Sequence, residues 1–221
     1  MNPSPLFYQA VFDYLFLLEK KYPQKQTLKT VSDRYALNTT ERIMLFRGTA
    51  ILTKRNSRKT KIIIDLQPNA HLYIDGFNVI RTIGSYLNGN WVFIGMDGFL
   101  RDASELHRKK LKWEKIVQTV DLIFDFFIKK NIQFVNFYFD TPISHSGKLS
   151  ALIAEKINYN KLDGDSQTVF SPDKVLIERK NGIICTGDSN IIDYSQVPIY
   201  DLAHEILKYF FHSEIFSLEN I

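Results

Sequence analysis

Apolar residues Phe7, Ala10, Val11, Tyr14 and Leu18 recur at helical spacing, so a helix is expected there, broken at Pro23. "TLKTVSDRYA" predicts a second helix. "LNTTERIMLFRG" predicts a third, because Asn38 and Glu41 have the spacing of a capping box and Gly48 suits its end. The next stretch, "TKRNSRKTK" (residues 53–61), reads as a basic exposed hairpin or linker.

From residue 70 the periodicity changes. Short apolar runs, "HLYID", "WVFIG", "QFVNFYFD", "GIICTGD" and "VPIYD", have the length and composition of strands. Between and after them, "WEKIVQTVDLIFDFFIKKN", "GKLSALIAEKI" and "DLAHEILKYFF" each place their apolar residues on one helical face. Alternation of this kind predicts an α/β fold with a mainly parallel sheet covered on both sides. Residues 1–66 are read as a small helical segment and residues 67–221 as the α/β domain.

Charge sharpens that division. The chain is net +4, but residues 1–66 hold 12 Lys and Arg against 5 Asp and Glu, net +7, which leaves the remainder at −3. A basic segment joined to an acidic domain suits a polyanion binder whose second part gathers carboxylates; a solvated lysine-rich surface is the plainer alternative. The two helices ahead of Gly48 have helix-turn-helix proportions, with Arg34, Arg42 and Arg47 as phosphate contacts if that reading holds. The lone cysteine, Cys185, excludes an internal disulfide framework and a cysteine-rich zinc site. No apolar run is long enough to span a membrane, and the N-terminus lacks the basic start and cleavage site of a signal peptide. A cytoplasmic protein with no membrane partner is expected.

Three of the expected strands deliver an acid at their carboxyl end: Asp75, Asp140 and Asp188. Ligand sites in open parallel sheets form at that edge. If the strands are neighbours, the acids converge and repel unless a cation neutralises them. Oxygen ligands without cysteine or clustered histidine favour Mg²⁺ or Mn²⁺. Taken singly, each acid is as readily a helix or turn cap, and Asp201 before "LAHEIL" is read as an N-cap. Asp193 either caps its turn or adds a water-mediated carboxylate. Asn78 suits a bond to the loop, or the orientation of Asp75 or of a phosphate.

The stretches "IDGFNVIRTI", "DGFLRDASELH", "FDTPISHSGKLSALI" and "TGDSNIID" together resemble PIN-like nucleases, particularly the NYN branch, and "DRYALNTTERIMLFRG" extends the likeness towards the N-terminus. The whole pattern resembles a prokaryotic family that joins a small basic helical segment to a PIN-like domain. That resemblance implies a Rossmann-like α/β/α sandwich and metal-dependent cleavage of RNA, with Asp75, Asp140 and Asp188 as the metal-site acids. A PIN-like domain that has lost turnover and holds RNA for a partner is the alternative. The chain departs from the common pattern in lacking a glutamate at the expected mid-domain helix. A homodimer is among the assemblies open to it.

Two further segments bear on substrate. In "DGFLRDASELHRKK", Arg101 suits phosphate stabilisation, against a surface loop with an Asp102–Arg ion pair, while His107 is read as a surface residue. "TPISHSGK" sets Ser144, Ser146 and Lys148 near Asp140 at an expected helix start, where free N–H groups favour anions as readily as ordinary caps. Pro142 and Leu149 exclude a P-loop, no glycine-rich dinucleotide fingerprint follows a strand, and no nucleophile elbow is present.

Overall fold

The computed structural model describes residues 3–67, 69–104, 111–212 and 214–221; His107 lies outside the described residues. Four helices come first: α1 (Pro5–Glu19), α2 (Gln24–Arg34), α3 (Thr39–Gly48) and α4 (Leu52–Lys59). The capping box that starts α3 is present, with Asn38 Oδ1 accepting from Glu41 N–H and Glu41 Oε2 accepting from Asn38 N–H. The stretch expected as an exposed basic linker is the helix α4 instead. It contains no glycine or proline, its Lys and Arg are good helix formers, and Arg58 on it is buried among acids.

The α/β part runs β1 (Ile62–Ile63), β2 (His71–Asp75), α5 (Gly76–Leu87), β3 (Val92–Ile94), β4 (Leu100–Asp102), α6 (Trp113–Lys129), β5 (Phe134–Asp140), α7 (Ser146–Tyr159), β6 (Asp163–Val169), α8 (Pro172–Ile177), β7 (Ile183–Cys185), α9 (Ser189–Tyr194), β8 (Ile199–Tyr200) and α10 (Leu202–Phe211). Six strands form one sheet in the order β1-β8-β7-β2-β5-β6, every pair parallel. Alternation along β2 divides the core. Leu72 and Ile74 enter a large cluster with Ile80, Val120, Phe124, Phe137 and Ile206, on the side of α5, α6, α7 and α10. Tyr73 enters a smaller one with Ile184, Leu176 and Ile192, under α8 and α9. The result is the expected three-layer, Rossmann-like arrangement.

Two strands depart from expectation. "WVFIG" supplies β3, which is no part of the parallel sheet; it pairs with β4 as an antiparallel hairpin. Val92 and Leu100 of that hairpin face the large core, while Phe93 points the other way into a cluster with Phe7, Tyr14, Met44, Leu45, Met96 and Leu218. The N-terminal helices therefore pack their own apolar residues against the back of this hairpin in one shared cluster. β6, "DGDSQTV", is polar because it is an edge strand with little buried on either side, and it carries no apolar alternation to read.

Candidate active site

The chain steps from β2 to β5 and β6 on one side, then returns to place β7 and β8 on the other. The strand order thus reverses between β2 and β7, and a crevice forms beyond the carboxyl ends of strands at such a point. Asp75 ends β2, and Asp188 follows β7 by three residues. Asp140 ends β5, and Asp173, in the first turn of α8, stands beyond the end of β6. All four line one open cavity of about 700 Å³.

Local structure fixes three of the four acids, Asp75, Asp173 and Asp188. Asp75 is the N-cap of α5: its Oδ1 accepts from Asn78 N–H at 3.3 Å, and its Oδ2 accepts from the Thr186 hydroxyl at 2.9 Å. Gly76 is required immediately after it, because a Cβ there would collide with the Phe139 ring. Asp188 caps α9 through Oδ1, which accepts from Asn190 N–H at 2.7 Å and Ile191 N–H at 3.4 Å. Capping and site are therefore the same arrangement at Asp75 and Asp188. Asp173 Oδ2 accepts from Asn190 Nδ2 at 3.4 Å. Asn78 Oδ1 accepts from Gly187 N–H at 2.7 Å, so the Asn78 side chain spans the crevice from α5 to the β7–α9 loop.

The acids sense one another. Burial, then the hydrogen bonds from Thr186 and Asn78, then the charges of Asp188 and Asp173 act on Asp75, and the balance pushes it up to about 7. Asp173 is raised by burial and by Asp188, and Asp140 by burial and by Asp173. Burial is the largest cause in each case, and repulsion between neighbouring carboxylates adds to it.

Four arginines line the same space, and two of them, Arg47 and Arg81, are in no salt bridge among the described residues. Arg81, half-buried on α5, offsets part of the rise at Asp140. Arg47, from α3, donates to the Asp102 carbonyl at 2.8 Å; its burial weakens its hold on its proton, and the carboxylates of Asp102 and Asp188 oppose that. Of the three arginines expected to contact phosphate, Arg42 is paired with Asp33, Arg34 lies 3.9 Å from Asp13, and only Arg47 reaches the crevice.

Other expectations are corrected by their partners. Arg101 is not a loop arginine free to meet phosphate: it is buried on β4, with its guanidinium on both oxygens of Asp97 at 2.5 and 2.7 Å and on Ser189 at 3.0 Å. Asp102 is not its partner, since both Asp102 oxygens take the Ser104 N–H and hydroxyl. Asp193 lines the cavity, but its oxygens accept from Arg58 at 2.6 and 2.9 Å and from Lys54 at 2.9 Å, so its charge is already matched. Ser146 is buried, donating to the Thr141 carbonyl, while Ser144 and Lys148 line a neighbouring cavity. Asp201 is the expected N-cap, accepting from His204 N–H at 3.1 Å and, in addition, from Leu100 N–H at 2.6 Å.

Asp173 and Arg81 were not expected at this site. An acid beyond a strand end is the signal that would have found Asp173, had β6 been legible as a strand. Asp75, Asp140, Asp173 and Asp188 offer only oxygen donors, the chemistry that hard divalent ions prefer. Among the described residues no group of three His, Cys, Asp or Glu is placed to hold a metal ion. The expectation of three carboxylates closing on one ion is therefore not met as the side chains stand.

The fold and crevice define an α/β protein with an acidic, topologically placed site whose rim is completed by a basic helical segment. Residues 64–205 match the family described as "Domain of unknown function (DUF5616)", and the chain belongs to that family. Residues 6–61 match a second, described as "Protein of unknown function (DUF434)". Over 207 residues the chain is 29% identical to "Uncharacterized protein MJ0935" of Methanocaldococcus jannaschii, covering 91% of this chain and 96% of that protein. No solved structure matches. No helix among the described residues is long and apolar enough to cross a membrane.

Proposed function

We propose that the protein is a divalent-metal-dependent ribonuclease that hydrolyses RNA phosphodiesters in the acidic crevice, working in the cytoplasm. The observation that carries this reading is the meeting of four carboxylates at the switch point with Arg47 and Arg81 facing them. The resemblance of "IDGFNV" and "TGDSNIID" to PIN-like nucleases points the same way. Carboxylates from among Asp75, Asp140, Asp173 and Asp188 would hold Mg²⁺ or Mn²⁺, which supplies a lowered pKa for bound water and charge stabilisation. The chain's own residues do the rest. Arg47 and Arg81 hold the phosphate against the repulsion of the acids. Asn78 keeps the Asp75 and Asp188 turns at a fixed separation, and Thr186 orients the Asp75 carboxylate.

The second reading is a PIN-like module that binds RNA without cutting it. It is favoured by the absence, among the described residues, of three acids placed to share one ion. Incubating the purified protein with end-labelled single-stranded RNA, with Mn²⁺ or EDTA, separates the two. Cleavage that needs metal and is lost in Asp188→Asn supports the nuclease. RNA binding indifferent to EDTA, with no cleavage at any metal concentration, leaves only the binding module.

A further inference from the structure

Beside the acid crevice lies a second cavity, of about 350 Å³, between the start of α5, the start of α6 and the β5–α7 loop. Arg81 and Asp102 line both spaces, so the two adjoin. Its walls differ from those of the crevice. Phe77, Trp113, Ile116 and Ile143 make it largely apolar, and its titratable acid, Asp102, is occupied by Ser104. Each aromatic ring carries a cation: the Arg81 guanidinium is 5.3 Å from the Phe77 centroid, and Lys148 Nζ is 4.0 Å from that of Trp113. Neither Arg81 nor Lys148 has a carboxylate partner among the described residues.

An apolar cavity lined by two aromatic rings, each with a cation on it, matches one chemical unit, a nucleobase attached to a phosphodiester. The volume, at the low end of the roughly 300–1,000 Å³ of small-molecule pockets, admits one nucleotide and excludes a duplex. We propose that this cavity holds the base of the nucleotide flanking the phosphate in the acid crevice, stacked on Trp113, with Arg81 and Lys148 on the connecting backbone. The inference rests on the ribonuclease reading for the identity of the strand. Lys148 is exposed on a flexible stem, so an arriving base takes its place over the indole while its charge moves to the phosphate at the rim. Single-stranded RNA is then the substrate class, because a paired base cannot enter the cavity.

The test is a binding titration in EDTA, where no strand is cut. Trp91→Phe leaves Trp113 as the sole tryptophan, and its emission is followed as a mixed-sequence hexaribonucleotide is added. Saturable quenching is expected. Trp113→Ala should weaken binding about tenfold, while Trp113→Phe keeps most of the affinity. Lys148→Met should lower the slope of log affinity against log salt by about one. RNA bound with full affinity by both Trp113→Ala and Lys148→Met overturns the base site and leaves the nuclease reading standing. No RNA binding by the parent protein overturns both. Equal affinity for the hexamer and its perfectly paired duplex also overturns the base site.

Discussion

Asn78 Oδ1 accepts a hydrogen bond from Gly187 N–H at 2.7 Å, and this one contact clamps the first turn of α5 to the loop that carries Asp188. Both partners sit at the point where strand order reverses. The clamp sets the gap between Asp75 and Asp188, so it governs how the two carboxylates share charge. Asn78→Ala strands the Gly187 N–H and should cost about 1–3 kcal/mol of stability. We expect RNA cleavage to fall further than that loss of folded protein explains. Urea unfolding beside kcat/KM on the same preparation checks it, and activity that simply tracks the folded fraction contradicts the clamp.

Asp75→Asn keeps the shape of the cap and removes a buried charge. The folded protein holds the Asp75 proton until about pH 7, whereas the unfolded chain releases it near pH 4. Metal-free stability of the parent therefore falls as pH rises from about 4 to 7, because the folded state binds the extra proton over that range. The variant should lack this component. Its melting temperature at pH 8 should equal or exceed the parent's, the advantage shrinking towards pH 4, while metal-dependent cleavage is lost. A variant that cuts RNA at the parent rate would show that Asp75 is only a cap.

Arg47 supplies positive charge to the crevice from outside the α/β part. Arg47→Ala should lower kcat/KM at least about tenfold, with Arg47→Lys retaining part of it. RNA affinity should fall linearly with log salt, as counterion release requires, and with a shallower slope in the alanine variant. Identical slopes would place Arg47 away from the phosphate.

Arg58 bonds Asp97 at 2.8 Å and Asp193 at 2.6 Å, both from the α/β part, while Arg101 covers the other side of Asp97. Arg58→Ala leaves a buried carboxylate half-matched and Asp193 dependent on Lys54 alone. The expected cost is about 3–5 kcal/mol. Arg101 and Arg58 hold Asp97 below the usual carboxylate range, and Arg58 with Lys54 holds Asp193 low too, so the network's contribution is present at neutral pH and lost as pH falls through their lowered values. Chemical denaturation at pH 7 and pH 4 should show the parent–variant difference shrinking in acid.

The sheet's centre was legible because β2, β5 and β7 are buried, apolar and punctuated by acids, so Asp75, Asp140 and Asp188 announce their own strand ends. Asp173 was not, since the edge strand before it is polar. Which of Arg34, Arg42 and Arg47 faces the crevice, and the role of Arg58, were hidden for another reason. Nothing local in α3 or α4 distinguishes a basic residue facing solvent from one turned into an acid-lined space; the distinction is made by Asp97, Asp102 and Asp193, far along the chain. Arg101 was misplaced because its acidic partner is four residues before it, Asp97, rather than the adjacent Asp102.

β1 has a consequence of another kind. It consists of Ile62 and Ile63, the two residues that fall between the stretches matched by the two families, and it pairs with β8 at the margin of the sheet. One residue earlier, the Lys61 ammonium donates to the carbonyls of Ile192, Asp193 and Ser195, closing the end of α9. The seam between the two halves is thus a splint and not a tether. Made as separate polypeptides, a fragment ending at Ile63 would carry its own strand to the open margin of the other, and the halves should dock by strand addition into a working heterodimer.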